Sequence, residues 1–316
     1  VAVIGPLADN TEDIIGTWSA RGEGKDAVSV LTGIRQKLPN TKVIHAKGCD
    51  ITGDSKAGLT EAIATARKAD AVVLVVGEAA MMSGEALSRA FLDLPGVQKD
   101  LVLAINELKK PMVVVLMNGR PLTIEWMDNA VPAILEAWFP GTMGGPAVAD
   151  VLFGDYNPSG KLPITFPRNV GQIPLFYYHK NTGRPRVETE RYTSKYIDSP
   201  NTPLYPFGYG LSYTSFDYSN FGVSTNEIGM TDTLKVWVDV TNTGNYDGEE
   251  VVQLYIRDMV GSVTRPVKEL KGFEKVFIKK GETVKVMFKL TASDLAFYTR
   301  TMEFKAEPGD FKVFVG

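Results

Sequence analysis

The sequence predicts an α/β layered domain with a largely parallel sheet, followed by an all-β sandwich. Three observations predict it. Residues 1 to 166 alternate short apolar segments with helix-length amphipathic ones, the pattern of repeated βα units. Residues 216 to 316 place apolar side chains at every second position, the period of half-buried strands. Residues 167 to 215 crowd proline, glycine and tyrosine together and break both periods. At 316 residues the chain has room for two domains of ordinary size, about 100–200 residues each.

In the first part, residues 1–4, 42–46, 71–76, 112–117, 133–137 and 162–166 read as buried strands. Helical runs fall at 27–38, 59–68, 97–108 and 145–153. In the first of these, Ala27, Val30, Leu31, Ile34 and Leu38 share one face. The opening segment reads as a buried strand that starts at residue 1, with no Met and no basic leader, so the natural protein is expected to extend upstream. Residues 167–215 are too rich in aromatics for a disordered linker and are expected to form an ordered connector that packs across the domains. In the last part, Leu234, Val236, Val238 and Val240 alternate with Lys235, Trp237, Asp239 and Thr241. Val284, Val286, Phe288 and Leu290 repeat the pattern, with turn signals at Asn242 to Asn245, Lys280 to Glu282 and Pro308 to Asp310.

Composition narrows the function. The chain is 44% hydrophobic and 22% charged with a formal net charge of -3, which argues against a nucleic-acid binder held by phosphate neutralisation. No apolar run approaches the ~20 residues needed to cross a bilayer. A single cysteine, Cys49, rules out an internal disulfide framework and a cysteine-based zinc site. Neither a dinucleotide fingerprint nor a Walker loop follows any strand, so no cofactor is expected. His45 and His179 form no recognisable metal pair, and Gly-x-Ser-x-Gly does not occur, so neither a metal nor a serine nucleophile is expected.

The stretch VGEAAMMSGEALSRAFLDLP, residues 76–95, is the most informative. It leaves an apolar strand and carries Glu78, Glu85, Arg89 and the flexible Gly84 on a loop at the strand's C-terminal edge, where open α/β sheets place their chemistry. Two glutamates near a loop are more often solvated than catalytic, and paired carboxylates exchange protons usefully only when their environments differ.

SGEALSR with LDLP, MNGRPLTIEW, EAWFPGTMGGPAVADVLFGDYNPSGKLPITFP, YPFGYGLSYTSF and RPVKELKGFEKV occur in order across essentially the whole chain. Together they resemble the family-3 glycoside hydrolases in their β-glucosidase branch. The resemblance implies an α/β domain over 1–166, a connector over 167–215 and a fibronectin type III-like (immunoglobulin-like) sandwich over 216–316. It implies a preceding (β/α)8 barrel with an aspartate nucleophile, which this chain does not contain. The loop glutamate of the family falls on Glu85 as general acid/base, with Ala86 where glycine is more usual; Glu78 is the competing assignment. Trp18 resembles an aromatic platform for the sugar, with packing in a domain interface as the alternative. Arg89 is either a sugar-side residue, a partner of Glu85 across one helical turn, or an anchor of the loop to a carbonyl.

The implied partners are an oligosaccharide or glycoside and the barrel of the same parent chain, with no nucleic acid or membrane. The surface that meets the barrel would be open to association, including homo-oligomers. The implied location is periplasmic or secreted. A β-xylosidase or related exo-glycosidase, and a non-catalytic carbohydrate-binding or scaffold pair, are the other readings.

Overall fold

The computed structural model describes residues 1–316, which form two compact units. The first comprises Val1–Tyr156 and Phe166–Ile173, the second Asn157–Thr165 and Pro174–Gly316.

The first unit is an α/β layer built on five parallel strands, β1 (Ala2–Ile4), β2 (Ile44–Ala46), β3 (Val72–Gly77), β4 (Met112–Met117) and β5 (Ile134–Glu136), in the order β2-β1-β3-β4-β5. The unbroken apolar runs of β1 and β3 are buried throughout, as strands covered on both faces must be. Helices α1 (Val30–Lys37), α2 (Leu59–Arg67), α3 (Gln98–Asn106), α4 (Glu125–Ala130) and α5 (Gly144–Leu152) join them. Ser29 starts α1 by accepting the Thr32 amide at 3.1 Å, a side-chain cap. A Cβ on Gly33 would stand 2.2 Å from the Gly145 carbonyl carbon, so α1 and α5 cross in near backbone contact. Val3, Val75 and Val115 meet Leu31, Ile34 and Val148 in the core between sheet and helices.

Connections leave β1 in one direction and β3 in the other, so the strand order reverses between them. Loops beyond the carboxyl ends of β1 and β3 therefore flank the switch point at which open α/β sheets bind ligands.

The expected strand at 162–166 does not form. Leu162 instead exchanges backbone hydrogen bonds with Gly208 and Tyr209, and Pro163 and Pro167 remove donors a ladder would need. The six-residue α4 was not expected, being too short to show a period.

The second unit is a sandwich. Strands β6 (Phe216–Val223), β7 (Thr233–Asn242), β8 (Gly248–Asp258), β9 (Glu269–Ile278) and β10 (Thr283–Thr291) lie in two antiparallel three-stranded sheets, completed by a last strand after helix α6 (Ala292–Leu295) and the short pair β11 (Phe297–Tyr298) and β12 (Phe304–Lys305). With β13 (Phe311–Val315) the orders are β10-β7-β6 and β13-β8-β9. Val236, Val238, Val240, Leu254, Phe288 and Leu290 point into the shared core, which is the alternation expected from the sequence.

Residues 174–215 are largely without regular structure and belong to this unit. Tyr177 stacks on Phe207 at 4.2 Å and meets Tyr255 of β8 edge-on at 6.1 Å, while Gln253 donates to the Gly208 carbonyl. The aromatics of the connector thus cover the outer face of β8.

Candidate active site

Strand β3 ends at Gly77, whose φ is 146° and where a Cβ would sit 1.7 Å from the Met117 carbonyl oxygen. Glycine is required there. Buried Gln98, at the start of α3, accepts from the Gly77 amide and donates to the Gly77 carbonyl, each at 2.8 Å, so the strand exit is fixed.

Glu78 follows, and it is fully buried. Its Oε1 accepts from Arg89 Nη1 at 2.5 Å and lies 3.1 Å from Arg120 Nε, and its Oε2 faces the Gly119 amide at 3.3 Å. Two guanidinium groups and a backbone N–H occupy this carboxylate, leaving no oxygen for a substrate. Both partners reach on to the loop. Arg89 Nη2 donates to the Asp93 carbonyl at 3.0 Å, and Arg120 Nη2 donates to the carbonyls of Met82 and of Leu87, the latter at 2.9 Å.

A second clamp comes from the loop after β1. Thr17 Oγ1 hydrogen-bonds to the carbonyls of Ala80 and Ser83, and Asp13 Oδ1 accepts the Ala80 amide at 2.7 Å. Asn10 holds Asp13 in turn through both its amide atoms. Held from both sides, residues 82–87 project as a short turn closed by Leu87 N–H to the Gly84 carbonyl at 3.2 Å.

Glu85 sits at the tip of that turn and is exposed. The two glutamates near each other in sequence therefore occupy opposite environments, one saturated and sealed, the other free. Ala86 has φ of 59°, the left-handed region, so an L-residue holds the turn there under local strain. Trp18, next to the clamping Thr17, is 76% exposed with its ring open to solvent. Arg89 turns inward; residues 85–89 are not helical, so the one-turn pairing with Glu85 is absent and the carbonyl anchor is the arrangement found.

Sequence reasoning passed over Glu136, at the carboxyl end of β5. Its Oε1 accepts the Trp138 amide at 2.9 Å, while its Oε2 is closed to solvent with no partner. Burial pushes its pKa up to about 8, opposed by the Trp138 amide and the nearby Asn118 side chain and aided by the charge of Glu78. Asn118 Oδ1 is likewise buried without a donor.

Comparison with known proteins follows the same outline. The family description "Glycosyl hydrolase family 3 C-terminal domain" matches residues 1–213, and "Fibronectin type III-like domain" matches residues 250–316. A protein named periplasmic beta-glucosidase from Salmonella typhimurium is 47% identical over 100% of this chain and 44% of its own length. A beta-xylosidase from Formosa agariphila is 45% identical, again over 100% of this chain and 44% of its own. The crystal structure of a beta-glucosidase from Listeria innocua in complex with isofagomine superposes with a TM-score of 0.94 at 42% identity, covering 100% of this chain and 44% of that one. This chain thus spans less than half the length of these relatives. It belongs to glycosyl hydrolase family 3, matching that family's C-terminal domain with a fibronectin type III-like domain after it.

Proposed function

We propose that this chain supplies the general acid/base of a retaining, exo-acting β-glucosidase whose nucleophile lies in a preceding barrel. The supporting observation is the presentation of Glu85: an exposed carboxylate at the tip of a turn clamped from two strand ends, one of the clamps being Thr17, next in sequence to the exposed Trp18. A retaining glycosidase needs two carboxyl groups about 5–5.5 Å apart, one to attack the anomeric carbon and one to protonate the leaving oxygen and later deprotonate water. A rigidly held, solvent-facing carboxylate suits the second role once a sugar and a facing domain enclose it. Glu78, with both oxygens occupied, suits the role of anchor.

Terminal β-linked glucose is the proposed substrate, supported by the β-glucosidase relatives, one of them crystallised as a mutant with laminaribiose. The β-xylosidase relatives support xylose as the second reading. The name of the Salmonella relative supports a periplasmic or secreted location, and no helix here is long and apolar enough to cross a membrane. The exposed apolar side chains Trp18, Met81 and Phe91 suit contact with a barrel and, without one, self-association.

The test uses Glu85→Ala in a full-length protein carrying this chain. Hydrolysis should slow strongly for poor leaving groups and far less for acidic phenols, and azide should restore turnover as a β-glycosyl azide. Equal losses across leaving groups would overturn the assignment, and the same signature in Glu78→Ala alone would move it to Glu78.

A further inference from the structure

The geometry points to Arg120 as a positioning residue that sets where the Glu85 carboxylate stands; this rests on Glu85 being the acid/base. Its guanidinium makes three contacts at once. Nε faces the sealed Glu78 carboxylate, and Nη2 donates to the carbonyls of Met82 and Leu87. Those two carbonyls lie on opposite arms of the turn, three residues before Glu85 and two after it.

The other clamps do not span the turn. Thr17 and Asp13 hold the incoming arm at Ala80 and Ser83, and Arg89 holds the outgoing stem at Asp93 and ties it to Glu78 below the turn. Within residues 82–87 themselves, only the Leu87 to Gly84 backbone bond and the Arg120 fork join one arm to the other. The turn also contains a strained alanine, Ala86, so its shape is not the one its own backbone prefers. An external tie is therefore needed to hold it.

Glu78 explains why that tie is rigid. A guanidinium on a flexible stem could follow the loop wherever it moved, but this one is fixed at its Nε edge by a buried carboxylate at the end of the central strand. The path from sheet to acid is thus Glu78, Arg120, then the two carbonyls. Lysine cannot replace it, because an ammonium offers a point charge where three separated acceptors need a planar fork. Displacing a reacting group by about 1 Å can cost on the order of 10²-fold in rate.

Arg120→Lys tests this. In the chain of 316 residues, amide hydrogen exchange at Leu87 should accelerate about tenfold or more while exchange in β3 and β4 stays slow. In a full-length protein carrying the chain, kcat should fall roughly 10–100-fold for poor leaving groups and far less for acidic phenols, with KM within about threefold. Unchanged exchange at Leu87, or losses equal across leaving groups while Glu85→Ala in the same series shows the dependence, would overturn the positioning role. Absence of the dependence in Glu85→Ala itself would instead overturn the acid/base reading. If Arg120→Lys does not fold, Glu78→Gln loosens the same fork without changing shape and should give the same pattern at smaller amplitude. Unchanged Leu87 exchange there would equally overturn the proposal.

Discussion

Ser83 rests directly on Gly119: its Oγ donates to the Gly119 carbonyl at 3.1 Å, and a Cβ at residue 119 would fall 2.2 Å from the Ser83 Oγ. The loop bearing Glu85 is thus seated on bare backbone at the end of β4. Gly119→Ala should lift it. The Ser83 Cβ at 2.5 Å and Phe139 Cε2 at 2.8 Å leave the new methyl no space, so a loss of about 1–3 kcal/mol is expected. Urea unfolding of the chain would measure it, and an unchanged midpoint would mean that the loop yields freely.

Ala86→Gly should act in the opposite sense. An L-residue in the left-handed region costs about 1–2 kcal/mol, while glycine adds roughly 0.5–1 kcal/mol of unfolded-state entropy. The net expectation is a gain of between about 0 and 1.5 kcal/mol. Ala64→Gly, in the exposed interior of α2, is the control and should lose about 1 kcal/mol. Thermal unfolding of both variants compares the two.

Glu136 makes stability depend on pH. Its pKa rises from 4.5 to about 8 on folding, chiefly through burial, so the folded state holds a proton that the unfolded chain has released. Between these values stability should fall as pH rises, by up to about 1.4 kcal/mol per pH unit, and level off above pH 8. Glu136→Gln keeps the shape and removes the titration. The difference in unfolding free energy between wild type and variant should therefore change with pH across this window; a constant difference would contradict the assignment.

Trp18 should matter to substrate and not to folding. At 76% exposure, Trp18→Ala should leave thermal unfolding unchanged. In a full-length protein, it should weaken kcat/KM for longer oligosaccharides by about 1 kcal/mol, roughly fivefold, relative to aryl monosaccharides. Equal effects on both substrates would mark it as packing.

These residues also show what a sequence can and cannot display. The valine runs of β3 and β4 and the alternation in β7 and β10 are local signals, and both halves of the fold follow from them. Leu162 misled because its apolar neighbours read as a strand while two prolines denied it a ladder. At the site, Glu85 stands out only through its resemblance to a known loop. Glu78 and Glu85 look alike in sequence; what separates them is Arg89 and Arg120, 11 and 42 residues from Glu78, converging on one of them. Glu136 gives no local signal, because a carboxylate ending a short strand looks solvated until Asn118 and Trp138 enclose it.

The division of labour between two carboxylates on separate parts of one protein is the central claim, and the purified chain of 316 residues tests it most directly. With an activated aryl β-glucoside it should give no turnover, because the proposed division puts the nucleophile that forms the glycosyl-enzyme outside this chain. Turnover that survives purification and disappears in Glu85→Gln would contradict this, showing that the chain carries a nucleophile of its own.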